Sequence, residues 1–555
     1  MRSEIIRIYK IVHTWTGILA GMALFIAFYA GAITAFKEPL ARWASPPAAT
    51  SMVPLEDAQS LITRTLTAHP EAARELRVNL RPSEQVTARV EWEIHDEDAD
   101  EHDRLSARHY VATVDEEGAV RVDEAHPSRL AELIDVLHRV VGLPVDGDLS
   151  RSIMGVIATL YALALVSGVI VLLPSLVKDF FALRVGNNLK RMWLDAHNVV
   201  GVVSLPFHLV MAVTAAVFAF HDGIYFVQDK MIHDGKRSAA FQARSAPSGG
   251  EPRDPAAMLP PTELVARVEA LSPTFEPTML QYVQVTGPRA AVRVWGHDAR
   301  SLSPRAQGGF AMVDPYSGRV VSTDYLPGRQ DAPQTLLSSF FALHFGTYGG
   351  HPAKWVYFLL GLLGAWLFYS GNLLWIETRR RKASRRGQGE IPAQRRDTSL
   401  MASATVGVCL GSICGISLTI VAAKWLHGHV ADLSAWHRYL YYAMFFGAIG
   451  WAFVRGGARA AVNLLWLAAA LTVAIPLTTL LAWLFPSLGM WAHTSAAPLG
   501  VDATALAGAL GFACLARATS RRVYEGPTDS VWSVRRPLPA VAGAEAAPDV
   551  ERATG

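Results

Sequence analysis

The chain is poor in cysteine: Cys409, Cys414 and Cys514 are the three in 555 residues, and all lie in apolar stretches. That excludes a disulfide framework and a thiolate-held zinc or iron–sulfur site. Charge is scarce as well. Asp, Glu, Lys and Arg make up 18% of the residues against 51% hydrophobic, with a mean hydropathy of +0.23. Such a composition belongs to a polytopic membrane protein with soluble insertions rather than to a water-soluble one. No G-x-G-x-x-G follows a strand pattern and no P-loop occurs, so nothing supports a nucleotide, flavin or nicotinamide held by this chain. Zinc spacings such as H-E-x-x-H are missing too; the local cluster His427, His429 and His437 is the nearest approach to one. Carboxylates are absent from the interiors of the apolar runs. That weakens an ion-coupled transporter, which many spans and an internal repeat would otherwise suggest. No nucleic-acid partner is expected; the partner the composition demands is membrane lipid.

What the chain has is long apolar runs. Eight are expected to span a bilayer: residues 11–36, 152–174, 196–220, 356–376, 400–423, 439–454, 462–485 and 503–516, the last being short. The first has no small-residue cleavage site after it and reads as an uncleaved membrane helix. Lys and Arg collect at alternate loops: Arg2, Arg7 and Lys10; Lys178, Arg184, Lys190 and Arg191; the 379–386 block; Arg455 and Arg459; and Arg517, Arg521 and Arg522. By the positive-inside rule both termini are then cytoplasmic. The domain plan is span 1–36, outside insertion 37–151, span 152–174, cytoplasmic loop 175–195, span 196–220, outside insertion 221–355 and span 356–376. A basic cytoplasmic linker (377–399), a four-span region (400–516) and a disordered cytoplasmic tail (517–555) complete it. Each insertion reads as a small α+β module. Helical periodicity at 55–67 and 261–271 precedes alternating strands at 86–94 and 110–114, and at 282–286, 291–295 and 309–313. The DPYSG turn at 314–318 leads into a further strand. The acidic 96–103 run, with His102, reads as a solvated loop.

The chain also repeats itself. His13-Thr-Trp-Thr-Gly17 opens the first span and His197-Asn-Val-Val-Gly201 the third. Leu137-His138 precedes the second span and Leu343-His344 the fourth; Ser167-Gly168 and Ser370-Gly371 sit near the inner ends of those spans. The unit of span, outside module, Leu-His and span occurs twice, as parallel repeats about an axis along the membrane normal. The fold class that follows is a polytopic α-helical membrane protein of about eight spans, with two α+β modules inserted in a duplicated two-helix unit.

The repeat places His13 and His197 at one depth and His138 and His344 at another. Two equivalent imidazoles facing a pseudo-twofold axis suit bis-histidine ligation of one haem iron, and two such pairs give one haem near each leaflet. Gly17 and Gly201, one turn beyond their histidines, leave room for a flat macrocycle or simply allow close helix packing. Arg7, Lys10, Lys190, Arg191 and Arg139 stand near the candidate ligands, as propionate partners or as topology signals. His208 breaks the repeat, since its counterpart is Leu24. On one straight helix it lies on nearly the same face as His197, about 16 Å higher. It reads as a replacement ligand, a member of a proton or electron path, or a polar contact, and Pro206 beside it is expected to kink the helix. His221 and His351, at the outer ends of the third and fourth spans, are candidates for an electron-acceptor site.

The segments HTWTGILAGMALFIAFYAGAITAF, LHRVVGL, LVSGVIVL, AHNVVGVVSLPFHLVMAVTA, DPYSGRVV, LHFGTYGG and YSGNLLW resemble the PepSY-associated transmembrane family, which includes iron-regulated membrane proteins and siderophore-linked reductases. The resemblance covers roughly residues 1–380. It implies PepSY modules in the periplasm of a bacterial inner-membrane protein and two b-type haems between the first four helices. His13, His138, His197 and His344 carry the ligand role by motif, and His208 lies in the PFH segment of longer members. It further implies haem-dependent reduction of ferric iron, often released from an imported siderophore. The partners are then an unknown cytoplasmic electron donor and a periplasmic ferric chelate or siderophore-binding protein. A non-enzymatic role, with the PepSY-like modules binding a peptidase or other envelope partner, is the alternative.

Overall fold

The structure is a computed structural model and describes residues 3–47, 52–81, 88–94, 107–115, 117–126, 128–177, 189–232, 234, 252–301, 308–381 and 392–534. The acidic 96–103 run with His102, and Lys178, Arg184, Lys382, Arg385 and Arg386 of the basic loops, lie outside the described residues.

The first copy of the repeat begins with α1 (Ser3–Thr34), the short α2 (Lys37–Ala44) and α3 (Ala58–Ala68). Strands β1 (Glu75–Asn79), β2 (Val90–Ile94), β3 (Arg108–Val114) and β4 (Val120–Ala125) follow, then α4 (Leu130–Arg139) and α5 (Asp148–Leu172). The second copy comprises α6 (Leu189–Val203), α7 (Leu205–Ile232) and α8 (Pro261–Leu271), with β5 (Phe275–Val283), β6 (Ala291–Asp298), β7 (Gly309–Val313) and β8 (Val320–Tyr325), then α9 (Ala332–Phe345) and α10 (Gly350–Thr378). The chain closes with α11 (Arg396–Leu426), α12 (Leu433–Arg455), α13 (Gly457–Leu484) and α14 (Ala496–Glu525). Among the described residues six helices are long and apolar enough to cross a membrane: α1, α5, α10, α11, α13 and α14. A seventh is the bent pair α6–α7. The protein is therefore a multi-pass membrane protein whose structure supports six to seven spans rather than the eight expected. The difference is α12, whose Trp436, His437, Arg438, Tyr439, Tyr441 and Tyr442 dilute its apolar character. The last span, read as short from 503–516, is a 30-residue helix running to Glu525, so the start of the expected disordered tail is helical.

The third span is broken. α6 and α7 meet at Ser204 with a 68° bend, because Pro206 has no N–H to donate back into the preceding turn and its ring opposes a straight helix. His197 and His208 consequently sit on differently directed segments, and the expected stacking of the two on one straight face does not occur.

The two insertions are not separate modules. All eight strands form one antiparallel sheet in the order β4-β3-β2-β1-β5-β6-β7-β8. The seam pairs β1 with β5, Leu76 opposite Tyr282 and Val78 opposite Leu280. Side chains alternate across a strand with period two. On β2 this buries Val90 and Trp92 under α3, and on β6 it buries Val292 and Val294 in the same continuous core with Leu61, Leu264 and Val268. The alternate positions, Glu91 and Glu93 on β2 and Trp295 on β6, look the other way, toward the helical bundle.

Within the bundle α1 packs on both α5 and α10, α5 on α7, and α10 on α6, so the repeats interlock about α1. The last four helices back this assembly on the α4 side, where Ile416, Ile420, Tyr441 and Phe445 share a core with Leu133 and Leu137 of α4 and Trp43 of α2.

Candidate functional site

The four repeated histidines come together as two pairs. At the end of the bundle away from the sheet, His13 on α1 and His197 on α6 have ring centroids 6.4 Å apart. Toward the sheet, His138 on α4 and His344 on α9 stand 6.0 Å apart. Neither α4 nor α9 is a span; each is a short helix that delivers its histidine to the bundle. His138 is bonded to Ala27, fourteen residues beyond His13 on α1, so the pairs lie about 21 Å apart along that helix.

Hydrogen bonds assign the tautomer of every one of these rings. His13 Nδ1 lies 2.8 Å from the carbonyl oxygen of Ala164, and His138 Nδ1 lies 2.8 Å from that of Ala27. A carbonyl only accepts, so both nitrogens carry the proton. His197 Nδ1 faces Ser370 Oγ at 3.0 Å, but the Ser370 hydroxyl already donates to Leu367, so Oγ accepts from the imidazole. His344 Nδ1 meets Thr214 Oγ1 at 2.8 Å, and that hydroxyl donates to Val210. All four rings thus donate from Nδ1, which leaves Nε2 as the nitrogen available for ligation. This is the state in which histidine ligates a metal, with Nδ1 held by an outer hydrogen bond.

Two imidazoles on opposite sides of one metal ion, each bond about 2 Å long, have centroids separated by about the distances seen in both pairs. No group of three or more His, Cys, Asp or Glu able to hold a metal ion exists among the described residues. A zinc site needs three or four protein ligands; a macrocycle that supplies four nitrogens of its own needs only the pair. A Cβ at Gly17 would touch nothing within 4 Å and one at Gly201 only Leu367 at 3.8 Å, so space for a flat group exists beside both. Gly168 and Gly31 do different work: a Cβ there would press to 2.9 Å from His13 and 2.7 Å from His138. The histidine pairs, their tautomers and the open glycines therefore fit haem.

The sheet-side pair opens into a cavity of about 1320 Å3. Its floor includes Phe28, Met211 and Phe218; its roof is the open sheet face with Glu91, Glu93, His109 and Trp295. Arg139 lines it but is engaged with carboxylates, 3.0 Å from Asp146 and 3.5 Å from Asp135. Arg191 likewise pairs with Asp195 at 3.4 Å. His208 is fully buried in an aromatic cluster of Phe28, Tyr161, Phe207 and Phe368. Its Nδ1 is 2.5 Å from Tyr161 Oη, which also donates to the His208 carbonyl, and its Nε2 has no partner. His221 lines the cavity with Nδ1 on the Phe218 carbonyl, whereas His351 is exposed on α10 outside it. The cluster of His427, His429 and His437 does not converge. His427 packs on Trp491, His429 turns back to the His427 carbonyl, and His437 is buried in α12.

The sequence reading missed Thr214, Gly31 and the carbonyls of Ala27 and Ala164, although the recurring Ser-Gly of Ser370 and Gly168 marked where two of the supports lie. It also missed a buried polar network. Lys424 is 2% exposed, bonds Thr479 Oγ1 and the Trp491 carbonyl at 3.2 Å each, and lies 4.0 Å over the Trp43 ring. Asp502, inside α14, accepts from Trp43 Nε1 at 2.8 Å and Thr479 at 3.1 Å. Both charges fall within membrane helices that the apolar runs had ended one residue short of them.

A multi-pass bundle in duplicate, with histidines paired across the repeats and a single sheet over one end, defines the class of protein. The chain belongs to the PepSY-associated TM region family, whose profile matches residues 11–378 of the 555. A search of curated proteins finds no match.

Proposed function

We propose that the protein is a di-haem b electron carrier of the bacterial inner membrane, passing electrons from the cytoplasmic side to a periplasmic acceptor, ferric iron or a ferric siderophore. The observation that carries this reading is the two histidine pairs at two depths, each ring held through Nδ1. His13 and His197 hold one haem and His138 and His344 the other; bound there, the iron supplies a one-electron ferric/ferrous couple. Ala164, Ala27, Ser370 and Thr214 orient the rings and raise the basicity of Nε2 by accepting from Nδ1–H. The basic loops near the His13 end support a cytoplasmic side there and a periplasmic sheet. The cavity beneath the sheet is where the acceptor meets the outer pair.

The test is a reduced-minus-oxidised spectrum of the purified protein with a pyridine haem count. Two haems per chain are expected, and His13→Ala and His344→Ala should each remove about one. A colourless protein sinks the reading and leaves the sheet as a binding module for an envelope partner.

A further inference from the structure

The cavity roof carries an ionised cluster that electron transfer alone does not require. His109 on β3 stands directly across the ladder from Glu93 on β2. Its Nε2 is 3.4 Å from Glu91 and its Nδ1 is 3.6 Å from Glu93. That Nδ1 is buried without a hydrogen-bond partner. Arg77 on β1 lies 3.6 Å from Glu93, and Arg129, just before α4, lies 3.4 Å from it. On the other flank β4 presents the uncharged Ala125. Across the cavity α4 presents Glu132 and Asp135, both held by Lys37. Burial by itself lowers the imidazole pKa, but the two flanking glutamates outweigh it and push it up to about 9. Glu93 goes the opposite way, to about 2: burial raises it, and His109, Arg77 and Arg129 more than reverse that. His109 is therefore an imidazolium at neutral pH, lining the cavity whose far wall holds His138 and His344.

A negative charge delivered into a cavity already lined by Glu91, Glu93, Glu132 and Asp135 is costly unless compensated. We propose that His109 is the proton donor to a ferric chelate with oxygen ligands that is reduced in this cavity, an inference resting on the electron-carrier reading. One electron takes iron(III) to iron(II), and one proton moves from His109 to the chelate oxygen released from the iron. The net charge of the chelate is unchanged, the iron–oxygen bond is lost, and neutral His109, still flanked by Glu91 and Glu93, regains a proton from bulk solvent. Arg77 and Arg129 are positioning residues that keep both carboxylates ionised.

The experiment uses the full-length haem-loaded protein, reduced beforehand and mixed in stopped flow with ferric citrate or with hexaammineruthenium(III), which takes an electron without a proton. His109→Gln is expected to slow oxidation by ferric citrate on the order of a hundredfold and to leave oxidation by ruthenium within about twofold. Wild type should lose rate with ferric citrate as the pH rises through about 9, where His109 deprotonates, and Glu93→Gln should move that limb to lower pH. The proposal is overturned if His109→Gln leaves ferric citrate oxidation unchanged or slows both acceptors alike. It is equally overturned by a limb that does not move in Glu93→Gln, or by a wild type that reduces ruthenium but not ferric citrate. A protein with no reducible haem band is recognised before either acceptor is added, and that result sinks the electron-carrier reading itself.

Discussion

At the scale of the residue, what distinguishes the four paired histidines from ordinary buried ones is the acceptor behind each ring. Thr214 and Ser370 are the two supports that a side-chain change can remove. Thr214→Val keeps shape but takes away the oxygen that holds His344 Nδ1–H; haem affinity at the outer pair is expected to fall about 10–100-fold, read by haem retention during dialysis, with the inner haem unaffected. Gly168→Ala tests the inner pair from the other side. Its Cβ would stand 2.9 Å from the His13 ring, so the ring must shift, and the haem count should drop by one while the fold persists. The histidines themselves were legible because duplication wrote them twice with the same neighbours. Their acceptors were not, since two are backbone carbonyls, which every residue carries and no residue type announces. His208 shows the reverse. Conspicuous as a lone histidine in an apolar run, it sits with Tyr161 in an aromatic cluster.

At the scale of the element, polar ends matter more than apolar middles. Hydrophobic runs located the spans, but trimming each at its first polar residue lost Lys424 and Asp502, which lie inside helices α11 and α14. Those two residues, with Thr479, clamp Trp43 of α2 to the last four helices and so brace the turn from α1 toward the sheet. Trp43→Ala should destabilise the protein by about 3–5 kcal/mol through the cavity and the lost hydrogen bonds, visible as a lower thermal midpoint in detergent. Trp43→Phe retains the ring under Lys424 and should cost less. The break at Ser204 belongs here too: Pro206 announced the kink, and its size, 68°, goes with α6 packing on α10 while α7 packs on α5.

At the scale of the whole molecule, the sheet is the feature least readable from the chain. Each half shows its own alternating strands, so two modules are the natural expectation. The seam between β1 and β5 joins residues about two hundred positions apart, and no local pattern specifies such a pairing. The charged network on the sheet's open face gives it a pH window. The Glu93 pKa is held down to about 2 and that of His109 up to about 9. The stabilisation from Glu93 is present above the ordinary carboxyl range and is lost as pH falls toward 2. That from His109 is present below its unfolded value of about 6.5 and is lost as pH rises through 9. Thermal midpoints should therefore peak between about pH 5 and 6.5, and His109→Gln should flatten the alkaline side.

The seam has one more consequence. β1 and β5 are the same strand of the two repeats, laid antiparallel, each the other's neighbour. That is the arrangement by which two identical chains join edge to edge about a twofold axis. A shorter gene product holding one unit alone would reach the same architecture by meeting a second copy of itself, with each histidine pair shared between subunits. Splitting the present chain in the loop before α6 and co-expressing the halves should restore both pairs.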